Sequence, residues 1–161
     1  MRDLAARRDI ADAAARYMRG LDRLDLELQR SAFHDDAVID CGLMKGGADD
    51  FVAFAQGFLA DMNATHHLLG QSRIEVTGQT ARAEWYFQAW HSVPSADGGV
   101  RDLFISGRYL DAYACRNGDW RIVSRVLVTD WVKDDPGTLD FFAANPAAPR
   151  GGRKGADPSQ T

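Results

Sequence analysis

The chain has 161 residues, a net charge of −4 at neutral pH and a pI of about 5.5. Hydrophobic residues make up 45%, charged residues 26% and aromatics 10%, the mix of one globular domain with little room for a second. The acidic balance argues against a general nucleic-acid or anionic-membrane surface, which needs a basic face, and no run reaches the roughly 18 apolar residues of a membrane span.

The opening Met1-Arg2-Asp3-Leu4 through Asp9 lacks the apolar core of a secretory signal. Cys41 and Cys115 form neither a Cys-x-x-Cys pair nor a disulfide framework. They read as two reduced thiols of a cytoplasmic protein.

Ile10, Ala14, Tyr17, Leu21 and Leu24 recur at steps of four, three, four and three, one stripe of a 3.6-residue helix. Gly20 weakens that helix. Asp22 and Asp25 can each cap a second one, expected over Leu24–Phe33, by accepting free backbone N–H groups. His34-Asp35-Asp36-Ala37 reads as the solvated turn out of it. Its neighbouring acids and imidazole sit too close in sequence to chelate one ion. A short strand is expected over Val38–Cys41 and a loop over Met44–Gly47. A third helix, with Asp49-Asp50 at its start and Phe51, Phe54, Ala55, Phe58 and Leu59 at helical spacing, follows.

From Thr65 the pattern turns to strands, expected over His66–Thr77, Arg82–Val93, Leu103–Arg116 and Asp119–Lys133. Asn117-Gly118 is a hairpin signal, because both residues tolerate the positive φ of a type I′ turn. A two-residue turn would set Arg116 against Asp119, Val123 against Ala112 and Arg125 against Leu110. An arginine between Val123 and Leu127 then either pairs with a carboxylate or faces a polar ligand. Thr138–Ala144, carrying Phe141-Phe142, reads as a short helix that could lid a cavity. Residues 146–161 read as a disordered tail on a single domain spanning 1–145.

Helices first and long strands after them argue for an α+β fold: a curved antiparallel sheet with helices packed on one face, forming a cone around an apolar cavity. By itself Asp22 reads as a helix cap and Tyr17 as a core residue. Alternation sends His66 and His67 to opposite faces without saying which is inward.

The stretches Ser106-Gly107-Arg108-Tyr109-Leu110-Asp111, Asn117-Gly118-Asp119-Trp120-Arg121-Ile122, Arg125 and Asp130-Trp131 resemble the end of a SnoaL-like domain, in the nuclear-transport-factor-2-like (cystatin-like) superfamily. The opening helix with Tyr17, then Asp22, then a histidine on the first long strand agrees with that. The pattern is similar to a lyase group that includes scytalone dehydratase, hexachlorocyclohexane dehydrochlorinase and bile-acid 7α-dehydratase. The resemblance implies an Asp–His dyad made by Asp22 and His67, a pocket tyrosine at Tyr17 and a pocket arginine at Arg125. The second catalytic histidine of scytalone dehydratase finds no counterpart; its place falls at Ser106 or its neighbours.

On that resemblance His67 is the general base of a dehydratase, dehydrohalogenase or related isomerase, oriented by Asp22 and needing no metal or cofactor. Tyr17 and Arg125 would assist the leaving group. The substrate would be a hydrophobic cyclic molecule held by Phe54, Phe58, Trp85, Phe87, Val123 and Leu127. The dehydratase relatives imply a homotrimer, and other cones are dimers. Two rival readings remain: a non-catalytic small subunit of an aromatic-ring dioxygenase or binding protein, with Asp22 and His67 out of reach of each other, and an isomerase with Asp22 as the base.

Overall fold

A computed structural model describes residues 2–137 and 152–160. Among these, three α-helices and a six-stranded sheet follow one another as α1 (Arg2–Arg23), α2 (Leu26–Arg30), β1 (Phe33–Asp40), β2 (Lys45–Gly47), α3 (Ala48–Ala60), β3 (Ala64–Thr77), β4 (Thr80–Pro94), β5 (Val100–Arg116) and β6 (Asp119–Pro136). The sheet order is β2-β1-β6-β5-β4-β3. Its long pairs are antiparallel, whereas β1 joins β6 in parallel. The helices lie on one face, and no described helix is long and apolar enough to cross a membrane.

The apolar stripe of α1 is the stripe that is buried: Ile10, Ala14, Tyr17 and Leu21. Gly20 does not end the helix. It lets α2 approach, since a Cβ there would lie 2.5 Å from the backbone nitrogen of Gln29. Leu24 turns the chain at φ 49°. Asp25 then caps α2, accepting from Leu28 N at 2.9 Å. Capping thus falls to Asp25, and Asp22 is left to face β3.

Two expectations fail here for tertiary reasons. His34-Asp35-Asp36 is not a turn but the start of β1. His34 is buried with Nε2 2.9 Å from the Ala114 carbonyl, and Asp35 and Asp36 pair with Arg30 and Arg116. Lys45–Gly47, expected as loop, pairs as a short edge strand with β1.

The Asn117-Gly118 turn has φ values of 56° and 84°, and Arg116 faces Asp119 as expected. The register then slips at Val123: Tyr113 faces Ile122, but Ala112 faces Ser124. A β-bulge inserts one unpaired residue and reverses which side chains face inward beyond it. Arg125 therefore stands opposite Asp111, not Leu110.

The lid expected over Thr138–Ala144 lies outside the described residues, as does the start of the expected disordered tail. Residues 152–160 lie against the end of α1, where Arg23 pairs with a buried Asp157 at 2.7 Å. A charged, glycine-rich composition hides this, because the segment docks through ion pairs and backbone hydrogen bonds and not through apolar surface.

Candidate functional site

The inward row of β4 is Ala81, Ala83, Trp85, Phe87, Ala89 and His91, every one buried. Its upper half, with α1, α3, β3, β5 and β6, encloses a cavity of about 370 Å³. Leu21, Phe54, Phe58, Phe87, Ile105 and Leu127 supply apolar wall; Tyr17, His67, His91, Tyr109 and Thr129 supply polar groups. A few polar groups in a mostly apolar hollow is the usual make-up of a small-molecule site.

Asp22 and His67 meet at the wall. His67 Nδ1 lies 2.7 Å from Asp22 Oδ1, and the His67 backbone N–H donates to Oδ2 at 2.9 Å. Thr65, the preceding inward residue of β3, donates its hydroxyl to Oδ1 at 3.1 Å. The Asp22 carboxylate is buried and hydrogen-bonded on both oxygens. A carboxylate only accepts, so it fixes a proton of His67 on Nδ1 and, in the neutral ring, leaves Nε2 as the acceptor.

His91 is the residue that sequence reasoning missed. Its ring stands 5.3 Å from that of His67, edge to face. Its Nδ1 lies 3.1 Å from the Leu103 carbonyl, which fixes the proton there. Burial, aided by the neighbouring His67, pulls its pKa down to about 4, so it is neutral at pH 7. The signal was present: His91 continues the alternation of Ala83, Trp85, Phe87 and Ala89, the inward row of β4.

Tyr17 is 2% exposed, and burial raises its phenol pKa although Arg125 opposes the shift. It therefore remains protonated and able to donate. Arg125 is not a cavity residue. It is 1% exposed, bonded to Asp111 through Nε and Nη2 at 2.7 Å each, and packs against the rings of both Tyr17 and Tyr109, 4.1 Å from each centroid. It supports the cavity floor from behind, with cation–π contacts to two tyrosines that line the hollow.

A profile of the SnoaL-like domain matches residues 2–126. The chain belongs to the SnoaL-like domain family. A comparison with curated protein sequences returns no match. Among solved structures the chain is similar to a type 2 hexachlorocyclohexane dehydrochlorinase, LinA, at 18% identity and a TM-score of 0.75 over 86% of this chain and 94% of that one. It is similar to a candidate scytalone dehydratase from Novosphingobium aromaticivorans at 22% identity and a TM-score of 0.73, over 86% and 94%. A Kribbella flavida protein, Kfla4162, matches at 20% identity and a TM-score of 0.74, over 81% and 95%. At these identities the likeness is one of fold: the cystatin-like, nuclear-transport-factor-2-like α+β cone.

Within this SnoaL-like domain, the expected residues divide. Tyr17, His67, Phe54, Phe58, Phe87 and Leu127 line the cavity, and Asp22 stands directly behind His67. Trp85 and Val123 do not line it. Trp85 is buried on the inward row of β4 apart from the cavity lining, and Val123 is the residue bulged out of register. His66 points to the other face, against Trp90 at 6.1 Å between rings. Among the described residues, no cluster of three or more His, Cys, Asp or Glu is arranged to hold a metal ion.

Proposed function

We propose that this SnoaL-like domain is a lyase that removes water from a hydrophobic cyclic alcohol, with His67 as general base and Asp22 as its orienting carboxylate. The observation that carries the reading is the 2.7 Å Asp22–His67 bond at the wall of an apolar cavity. The dyad leaves Nε2 of a neutral imidazole as the base, and the carboxylate stabilises the imidazolium that forms. Asp22 itself is a poor base, since both its oxygens are already engaged.

In the proposed step His67 Nε2 takes a proton from carbon, the carbon–carbon double bond forms and the carbon–oxygen bond breaks. The departing hydroxyl leaves as water by taking that proton back from the imidazolium. Tyr17, held protonated by burial, is the donor available to a leaving oxygen or a conjugated carbonyl.

Names of structural neighbours support both dehydratase and dehydrochlorinase chemistry. His91 favours the alcohol. Its Nδ1 proton is committed to Leu103, so what it offers is an acceptor, which matches an O–H and has nothing to gain from a carbon-bound halogen. An isomerase, moving the proton from one carbon to another on the same His67, is the neighbouring alternative.

The test is turnover by His67→Ala across a panel of hydroxylated and chlorinated alicyclic and steroid-like compounds. A fall of about 10²–10⁴-fold is expected, the usual worth of a positioned base. Unchanged turnover by that variant removes the reading.

A further inference from the structure

The turn 152–160 is clamped to the last turn of α1. Arg23 Nη1 donates to the Gly152 carbonyl at 2.8 Å and to Asp157 Oδ2 at 2.7 Å. Lys154 N donates to the Arg23 carbonyl at 2.8 Å, closing one of the backbone acceptors a helix end leaves open. Asp157 also accepts from Ser159 and from Gly152 N, and these bonds hold its carboxyl well below the usual carboxylate range.

This clamp brings one long side chain to the dyad. Arg153 Nη1 donates to the Met62 carbonyl at 2.7 Å, and Nη2 lies 3.4 Å from Thr65 Oγ1. Thr65 donates its single hydroxyl hydrogen in a bond to Asp22 Oδ1, so its oxygen meets the guanidinium as an acceptor. The chain of donors therefore has one polarity: Arg153 to Thr65, Thr65 to Asp22, with His67 donating to Asp22 from the other side. Such a chain strengthens each of its members.

Arg153 Nε is buried with no partner. An arginine needed only to hold down the tail gains nothing from that burial, since an unmade buried N–H costs stability. Proximity to the Asp22 charge is what opposes the cost.

We propose that Arg153 is a positioning residue for the dyad, acting through Thr65 to hold the Asp22 carboxylate in the orientation that the His67 Nδ1–H requires. This rests on the role given above to the Asp22–His67 pair. The charged or titratable groups facing the pair are His91 from β4 and Arg153 from the turn; Arg23 is committed to Asp157.

The experiment follows the His67 Nδ1 proton by NMR in the full chain, where an imidazole N–H bonded to a carboxylate resonates far downfield. Arg153→Met and Thr65→Val should each speed its exchange with water by about tenfold, the loss expected for one supporting hydrogen bond. Arg153→Lys should retain much of the protection. Asp157→Asn, which loosens the turn without touching the pair, should act in the direction of Arg153→Met. Asp22→Asn should abolish the resonance. If Arg153→Met lowers the melting temperature but leaves the proton's shift and exchange unchanged, Arg153 merely anchors the turn and the proposal is overturned. Absence of the resonance in the unsubstituted chain removes the pair and the proposal together. No substrate enters the measurement, so failure of the lyase reading leaves its outcome readable.

Discussion

His67 and His91 stand edge to face on adjacent strands, 5.3 Å between ring centroids, yet are held in different chemical states of readiness. Asp22 backs one ring with a charge, and the Leu103 carbonyl backs the other with a neutral dipole. A carboxylate partner stabilises an imidazolium; a buried carbonyl partner does so far less. The pair therefore divides into a proton acceptor for chemistry and a hydrogen-bond acceptor for binding. His91→Phe should raise KM for an alcohol substrate while His67→Gln lowers kcat, a split read directly from steady-state kinetics.

Asp22→Asn should leave ligand affinity near its original value and lower turnover by about 10²–10⁴-fold, because an amide can hold the wrong tautomer of His67. Calorimetric titration with an inert ligand of the cavity, beside kcat, checks both halves.

His91 also makes stability depend on pH. Its folded pKa, about 4, lies below the ordinary histidine value of 6.5. Between these values the unfolded chain binds the proton and the folded chain does not, so stability falls as pH drops from about 6.5 to 4 and is unaffected by this group above that window. The contribution is on the order of 2 kcal/mol. His91→Gln should flatten this part of a urea-unfolding profile against pH. The lowered Asp36, Asp40, Asp97 and Asp130 act only at the acid end, below the carboxylate range.

The Arg125–Asp111 pair is buried and bidentate. Removing one partner leaves an uncompensated charge, so Asp111→Asn should cost about 3–5 kcal/mol in urea unfolding. The double change Arg125→Met with Asp111→Leu should recover most of that loss, since apolar groups of similar size fill the same space. Equal losses in the single and double variants would contradict this.

Gly107 sits where β5 meets the second irregularity of β6. A Cβ there would lie 2.0 Å from the Val128 carbonyl oxygen and 3.0 Å from Phe87 Cε1. Gly107→Ala should therefore spread the strands and push on the Phe87–Tyr109 stack, now 4.5 Å between centroids. A fall of about 5–10 °C in melting temperature is expected, readable by calorimetry.

Much of the fold was legible in local patterns. The stripe of Ile10, Ala14, Tyr17 and Leu21 marks the buried face of α1, and Asn117-Gly118 marks the hairpin. Asp22 and His67 came from resemblance and not from periodicity, which left one as a cap and the other on an undecided face. The acidic run at His34-Asp35-Asp36 misled, because His34 and Asp36 find their partners, the Ala114 carbonyl and Arg116, on a strand remote in sequence.

The amino-acid sequence by itself determined the long elements and the apolar face of α1, because helix and strand periodicities are properties of neighbouring residues. Tertiary structure alone decided which of the candidate side chains meet at the site. The bulge at Val123 carries Arg125 away from Leu110 to Asp111, and the pairing of β3 with β4 sets Thr65 opposite His91 and so brings a second imidazole beside His67. Register and strand adjacency depend on contacts between distant segments, and a single slipped residue reverses an entire face.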